Sequence, residues 1–151
     1  MEIRVARTED AEQACAVLRR SIQDLCQADH HGDAARLADW LANKSPQNVA
    51  TWISNPQSHV FVATEGETIL GVAAMTTAGE ITLNYVSPDA RFRGVSKALI
   101  DRLEAQAREL GLERCTLNST ETALSFYLSR GYQEQIAPAN GSCRPMAKAL
   151  I

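Results

Sequence analysis

The hydrophobic period of this chain changes near Asn55-Pro56, and that change constrains the fold more than any other feature. Before it, apolar residues recur at steps of three and four, as on one face of a helix. From His59 onward three strand-like runs follow one another: His59–Thr64, Thr68–Thr77 and Glu80–Ser87. Only Glu65-Gly66-Glu67 and Ala78-Gly79 separate them, so the spacing predicts a three-stranded antiparallel meander.

Upstream, Ile3 and Val5 read as a short strand. Thr8 is placed to cap a helix, with Glu9 and Asp10 in its first turn. Ala11, Cys15, Leu18, Ile22 and Leu25 form that helix's apolar face. Gln27–Gly32 is a polar break. Leu37, Trp40 and Leu41 mark a second helix. Ser45-Pro46 opens a third, faced by Val49, Trp52 and Ile53 and stopped at Asn55-Pro56. Downstream, Arg91–Gly94 opens a long helix with Val95, Leu99, Leu103, Ala107 and Leu110 on one side, and Gly111 ends it. Glu104 and Arg108, four apart, read as a surface ion pair. Arg114–Asn118 is a strand. Ser119 or Thr120 caps a helix running to Arg130, and Tyr132–Ile136 and Cys143–Leu150 supply two last strands. The sum is a mixed α/β chain.

With 151 residues, 45% of them hydrophobic, a single domain over 1–151 is expected, with a core that needs no metal or disulfide. A net charge of −3 without a basic stripe disfavours nucleic acid as a partner. No apolar run approaches the roughly 20 residues of a membrane span. The first ten residues lack the apolar core of a signal peptide, so the expected location is the cytoplasm. Cys15, Cys26, Cys115 and Cys143 form no Cys-x-x-Cys pair and have no His at zinc-ligand spacing. They are expected to be reduced and buried, and no metal is expected.

The stretch from Tyr85 to Ser96 carries the chemistry. It runs strand, loop, helix start. Backbone N–H groups at a helix start have no internal partner and attract anions. Gly94 admits a bulky anion close to the backbone, and Arg91, Arg93 and Lys97 add positive charge. This is a phosphate cradle. The nucleotide-triphosphate and dinucleotide glycine patterns are both absent.

Arg91-Phe92-Arg93-Gly94-Val95-Ser96 resembles the Gln/Arg-x-x-Gly-x-Gly/Ala signature of the GCN5-related N-acetyltransferases (GNAT), with Ser96 in place of the last Gly or Ala. Ala123-Leu124-Ser125-Phe126-Tyr127-Leu128-Ser129-Arg130-Gly131-Tyr132 is similar to that family's later helix, and Arg144–Leu150 to its closing strand. The resemblance implies a GNAT-type α/β fold: a mostly antiparallel central sheet, splayed in the middle and flanked by helices. It implies acetyl-CoA as cofactor, cradled at Arg91, Phe92, Arg93, Gly94, Val95, Ser96 and Lys97, with its pantetheine arm along Tyr85 and Val86. Thr120 stands where relatives carry a cofactor-contacting Asn, and serves either that role or as a helix cap. By the same resemblance a strand N–H stabilises the oxyanion, the amine attacks directly, and Tyr127 is the general acid. Glu80 is a candidate base, and His30 and His31 wall the acceptor pocket. The implied partner is a small-molecule amine or a protein amino group, with a homodimer common among relatives. A non-catalytic acyl-CoA-binding module on the same fold is the alternative, favoured by Ser96 and Thr120.

Overall fold

The computed structural model describes residues 1–136 and 144–150. Strand β1 (Glu2–Val5) leads into four helices: α1 (Ala11–Leu25), α2 (Gln27–His30), α3 (Ala34–Leu41) and α4 (Pro46–Ser54). The meander follows as β2 (Ser58–Glu65), β3 (Thr68–Thr76) and β4 (Glu80–Val86). Then come α5 (Val95–Glu109), β5 (Arg114–Ser119), α6 (Leu124–Ser129), β6 (Gln133–Glu134) and β7 (Arg144–Ala149). One sheet holds all seven strands in the order β1-β2-β3-β4-β5-β7-β6. Every pairing is antiparallel except β4 with β5.

The sheet has a core on each face, which is why β2 and β3 read as near-continuous apolar runs. Val60 and Val62 pack toward α1 and α4, while Phe61 and Ala63 pack toward α5. Helix α5 comes close enough to β3 that a Cβ on Gly71 would lie 2.7 Å from Val95 Cγ1. Only a glycine fits there without displacing the helix. The helices before Gly111 and Gly131 end as the sequence indicates, but the second starts only at Leu124, not directly after a cap at Ser119 or Thr120. Gly111 and Gly131 adopt positive φ (77° and 92°), and the following amides reach back to Ala107 and Tyr127.

Several local expectations are corrected. Thr8 does not cap α1. It lies in a 3-10 turn (Thr8–Asp10), and the Asp10 carboxylate accepts from the Arg7 N–H at 2.7 Å and the Arg4 guanidinium at 2.7 and 2.9 Å. The polar break at Gln27 contains a one-turn helix. Glu104 is not a surface partner of Arg108. It is 3% exposed, and it accepts from the Tyr132 hydroxyl at 2.9 Å and the Lys148 ammonium at 2.8 Å. The strand expected over Tyr132–Ile136 is two residues long. Cys15, Cys26 and Cys115 are buried free thiols, and Cys143 lies outside the described residues.

Candidate active site

Strands β4 and β5 pair at only two positions, Glu80 with Thr116 and Ile81 with Leu117. Beyond them the strands part. A bulge in β4 sits at the same point: across from it on β3, Met75 faces Ile81 and Ala74 faces Leu83, so Thr82 is the extra residue. A bulge bends its strand and reverses which way later side chains face. Ile81 therefore belongs to the core under α5, while Leu83 belongs to the core under α1. Tyr85 follows Leu83, and Val86 packs on the α5 side. Without the bulge, the alternation of Ile81, Leu83 and Tyr85 would put all three on one face.

A cavity of about 460 Å³ opens where β4 and β5 diverge. Its walls are the end of β4, the first turn of α5, one side of α6 and the end of α1. A gap of about 50 Å³ between the two strands continues it, and Asn84 and Tyr127 border both.

At one end Gly94 precedes α5 with φ 79°, and nothing lies within 4 Å of where its Cβ would stand. No side chain caps α5, so its first N–H groups border the cavity uncapped. Arg91, Phe92, Val95, Ser96 and Lys97 also line this end. Phe92 is 90% exposed, has φ 64° and lies 4.6 Å from the Arg91 guanidinium. The structure does not bring Arg93 to the cavity; it pairs with Glu65 at 2.6 Å.

At the other end Tyr127 is buried, its ring edge-on to Phe126 and Tyr132 at 5.2 and 5.6 Å. Burial pushes its phenol pKa up, and a side-chain hydrogen bond with Asn84 pulls the other way. The Asn84 Oδ1 is buried without a partner among the described residues. Sequence reasoning missed Asn84, although an amide between Leu83 and Tyr85 was a visible signal. Thr120 borders the cavity, but its hydroxyl accepts from the Ala123 N–H at 3.1 Å and so also caps the turn into α6. Across β4, burial and the nearby Cys26 push the Tyr85 phenol up. Burial and the nearby Asp29 carboxylate push the Cys26 thiol up to about 12.

Three candidates fall elsewhere. His30 is 2% exposed and structural. Its Nδ1 accepts from the Gly32 N–H at 3.0 Å, and its Nε2 lies 3.1 Å from the Ile22 carbonyl and 3.2 Å from that of Gln23. With Nδ1 accepting, Nε2 carries the proton and closes the end of α1. His31 is exposed, with φ 56°, and borders no described cavity. Glu80 is exposed on the paired side of the divergence and does not reach the cleft.

A family model described as an acetyltransferase (GNAT) domain matches residues 23–142. The chain belongs to the GNAT family. Two solved GNAT structures illustrate the likeness. The PaiA N-acetyltransferase of Thermoplasma acidophilum, in complex with coenzyme A, superposes with a TM-score of 0.85 at 22% identity, over 98% of each chain. A GCN5-related N-acetyltransferase of Rhodopseudomonas palustris gives 0.84 at 27% identity, over 98% of this chain and 94% of that one. An amino-acid acetyltransferase of Azotobacter vinelandii is 37% identical over 78 residues, which are 52% of this chain. The aligned part is 17% of that relative's length.

Proposed function

We propose that this GNAT chain is an acetyl-CoA-dependent N-acetyltransferase that passes the acetyl group directly to a small-molecule amine. One juxtaposition carries the reading. The β4 edge left without a strand partner beyond Ile81 opens toward the uncapped start of α5 at Gly94.

The α5 N–H groups, with the Arg91 and Lys97 cations, would hold the cofactor's phosphates. The unpaired β4 edge at Tyr85 and Val86 would take its pantetheine arm by strand-like pairing. When bound, the cofactor supplies an activated acyl thioester. The protein's own part is positioning and proton control. Unpartnered N–H groups after the bulge serve where negative charge develops on an oxygen. The buried Tyr127 phenol, its pKa raised by burial, stays protonated at neutral pH and would be the donor to the departing sulfur. Cys26 borders the cavity, but with its thiol pushed up to about 12 it is not ionised near neutrality and carries no acyl group. That supports direct transfer. Glu80 and His30 are left out of the mechanism by their positions.

No helix among the described residues is long and apolar enough to cross a membrane. The buried free thiols suit a reducing compartment, and we assign the protein to the cytoplasm.

The test is the thermal unfolding midpoint with and without acetyl-CoA. Ligand at about 100 times its dissociation constant adds roughly 2.7 kcal/mol, a shift of several degrees. Release of free coenzyme A thiol with a panel of amines then reports turnover. An unmoved midpoint at millimolar ligand overturns the cofactor assignment. A shift without turnover of any amine leaves the binding-module alternative.

A further inference from the structure

A second large cavity, of about 470 Å³, borders β4 nearer its start, at Thr82 and Leu83. Ala74, Leu83 and Trp52 line it, all three part of the packing under α1 and α4. Its size is within the range of about 300–1,000 Å³ typical of small-molecule sites. Thr82 and Leu83 border both this cavity and the narrow gap between β4 and β5. That gap shares Asn84 and Tyr127 with the cofactor-side cavity. Thr82 and Leu83, at the bulge, are thus a wall common to this cavity and the gap, which sets the two side by side.

Like the first, which Arg91 and Lys97 border, the second cavity is lined by a cation and, among the described residues, by no carboxylate. Among the described residues Lys44 is the one ionic side chain that borders it. The Lys44 ammonium has no carboxylate within ion-pair distance among the described residues; it donates to the Asn43 side-chain oxygen at 2.7 Å. Burial pushes its pKa down, as expected for a cation removed from water without a counter-charge. The remaining polar groups are neutral amides and hydroxyls, among them Asn55, Gln57 and Thr76. Such a site repels a polycation and lacks only an anion.

Building on the acetyltransferase reading, we propose that this cavity receives the acetyl acceptor, that the acceptor is a small amine carrying a carboxylate, and that Lys44 selects it by pairing with that carboxylate. The carboxylate stays on Lys44, and the amine end faces the side of the cavity that Thr82 and Leu83 share with the gap between β4 and β5. Lys44 is a specificity residue and takes no part in the proton transfers.

The experiment compares kcat/KM for free amino acids with that for the matching amines lacking the carboxylate, and with spermidine as a polycation. Wild type is expected to prefer the carboxylated amine by about ten- to hundredfold, the size of a lost hydrogen-bonded charge contact. Lys44→Met is expected to raise KM for the carboxylated amine by a similar factor. It should leave kcat/KM for the carboxylate-free amine and the acetyl-CoA-induced thermal shift unchanged, and Lys44→Arg should restore much of the preference. The variant should fold, because the Lys44 contacts to α1 use its backbone carbonyl, which accepts from Cys15 Sγ and Arg19. Equal or better use of the carboxylate-free amine or spermidine would overturn the proposal while leaving the acetyltransferase reading intact. So would a Lys44→Met effect of the same size on every amine. Absence of any acetyl-CoA shift is a different failure: it removes the acetyltransferase reading, and this inference with it.

Discussion

Asp29 and Thr122 are joined twice across the mouth of the cleft: the Thr122 hydroxyl donates to Asp29 Oδ2 at 2.6 Å, and its backbone N–H donates to the same oxygen at 3.2 Å. The Glu121 N–H donates to Oδ1 at 2.7 Å. One carboxylate in α2 thereby fastens the turn between β5 and α6, and with it the wall that carries Tyr127. Asp29→Ala removes three hydrogen bonds at a partly exposed site. It is expected to cost about 1–3 kcal/mol in urea unfolding and to weaken acetyl-CoA binding. Loss of stability with unaltered cofactor affinity would show that the tie does not shape the cleft.

Gly94 is tested by two substitutions. Its φ of 79° is unfavourable for any residue with a Cβ, by roughly 1–2 kcal/mol. Gly94→Ala is therefore expected to lower stability by about that much and to bind acetyl-CoA more weakly. Gly94→Asp adds an anion to the space beside the α5 N-terminus and is expected to abolish the acetyl-CoA thermal shift. A Gly94→Asp protein that bound the cofactor normally would move the phosphate site elsewhere.

The periodic elements were legible because each follows from nearest-neighbour patterning. The meander, the long helix behind Gly94 and the helix ending at Gly131 need only apolar spacing and a terminator. The cleft was legible less fully. Arg91–Lys97 announced an anion site through charge and glycine, yet Arg93 turned to Glu65, a partner 28 residues away that no local pattern predicts. The bulge at Thr82 left no mark, since Ile81, Leu83 and Tyr85 keep perfect alternation. Only pairing with β3 shows the inserted residue. By resemblance His30, in the polar break, would wall the acceptor pocket, but the end of α1 presents carbonyls that its ring closes over.

Tyr127→Phe removes the phenolic proton and little volume. General acid catalysis contributes about 10²–10⁴-fold, so kcat is expected to fall by about 10²-fold with KM for acetyl-CoA nearly constant. Because burial raises the Tyr127 pKa above the ordinary phenol value of 10.0, its ionisation should not produce a falling limb in the pH–rate profile below that pH. An unchanged kcat in Tyr127→Phe would take this residue out of the chemistry.

Stability should decline at both pH extremes for identifiable reasons. Cys26 titrates at about 12 in the folded protein against 9.0 for the free thiol. The folded pKa is raised, so its contribution is fully present below 9.0 and lost as pH climbs toward 12. Asp10 behaves oppositely. The hydrogen bond from Arg4 holds it below 3.8, so its contribution is present above that pH and lost as pH falls further. Urea midpoints measured across pH should show a shallower alkaline decline in Cys26→Ala and a shallower acid decline in Asp10→Asn, each relative to wild type. Parallel curves for a variant and wild type would discard that assignment.

Glu104 sits in the core where α5 meets β7, and both of its oxygens are used, by Tyr132 and by Lys148 from 44 residues away. Removing one member of a buried ion pair strands the other, at a typical cost of about 3–5 kcal/mol. Glu104→Leu is expected to lie in that range, with the Lys148 ammonium and the Tyr132 hydroxyl left unmatched. Adding Lys148→Met should recover much of the loss, because a hydrophobic pair of similar volume carries no desolvated charge. The double-mutant cycle in urea is the measurement. Strictly additive losses would mean that the two side chains do not share the interaction their 2.8 Å contact implies.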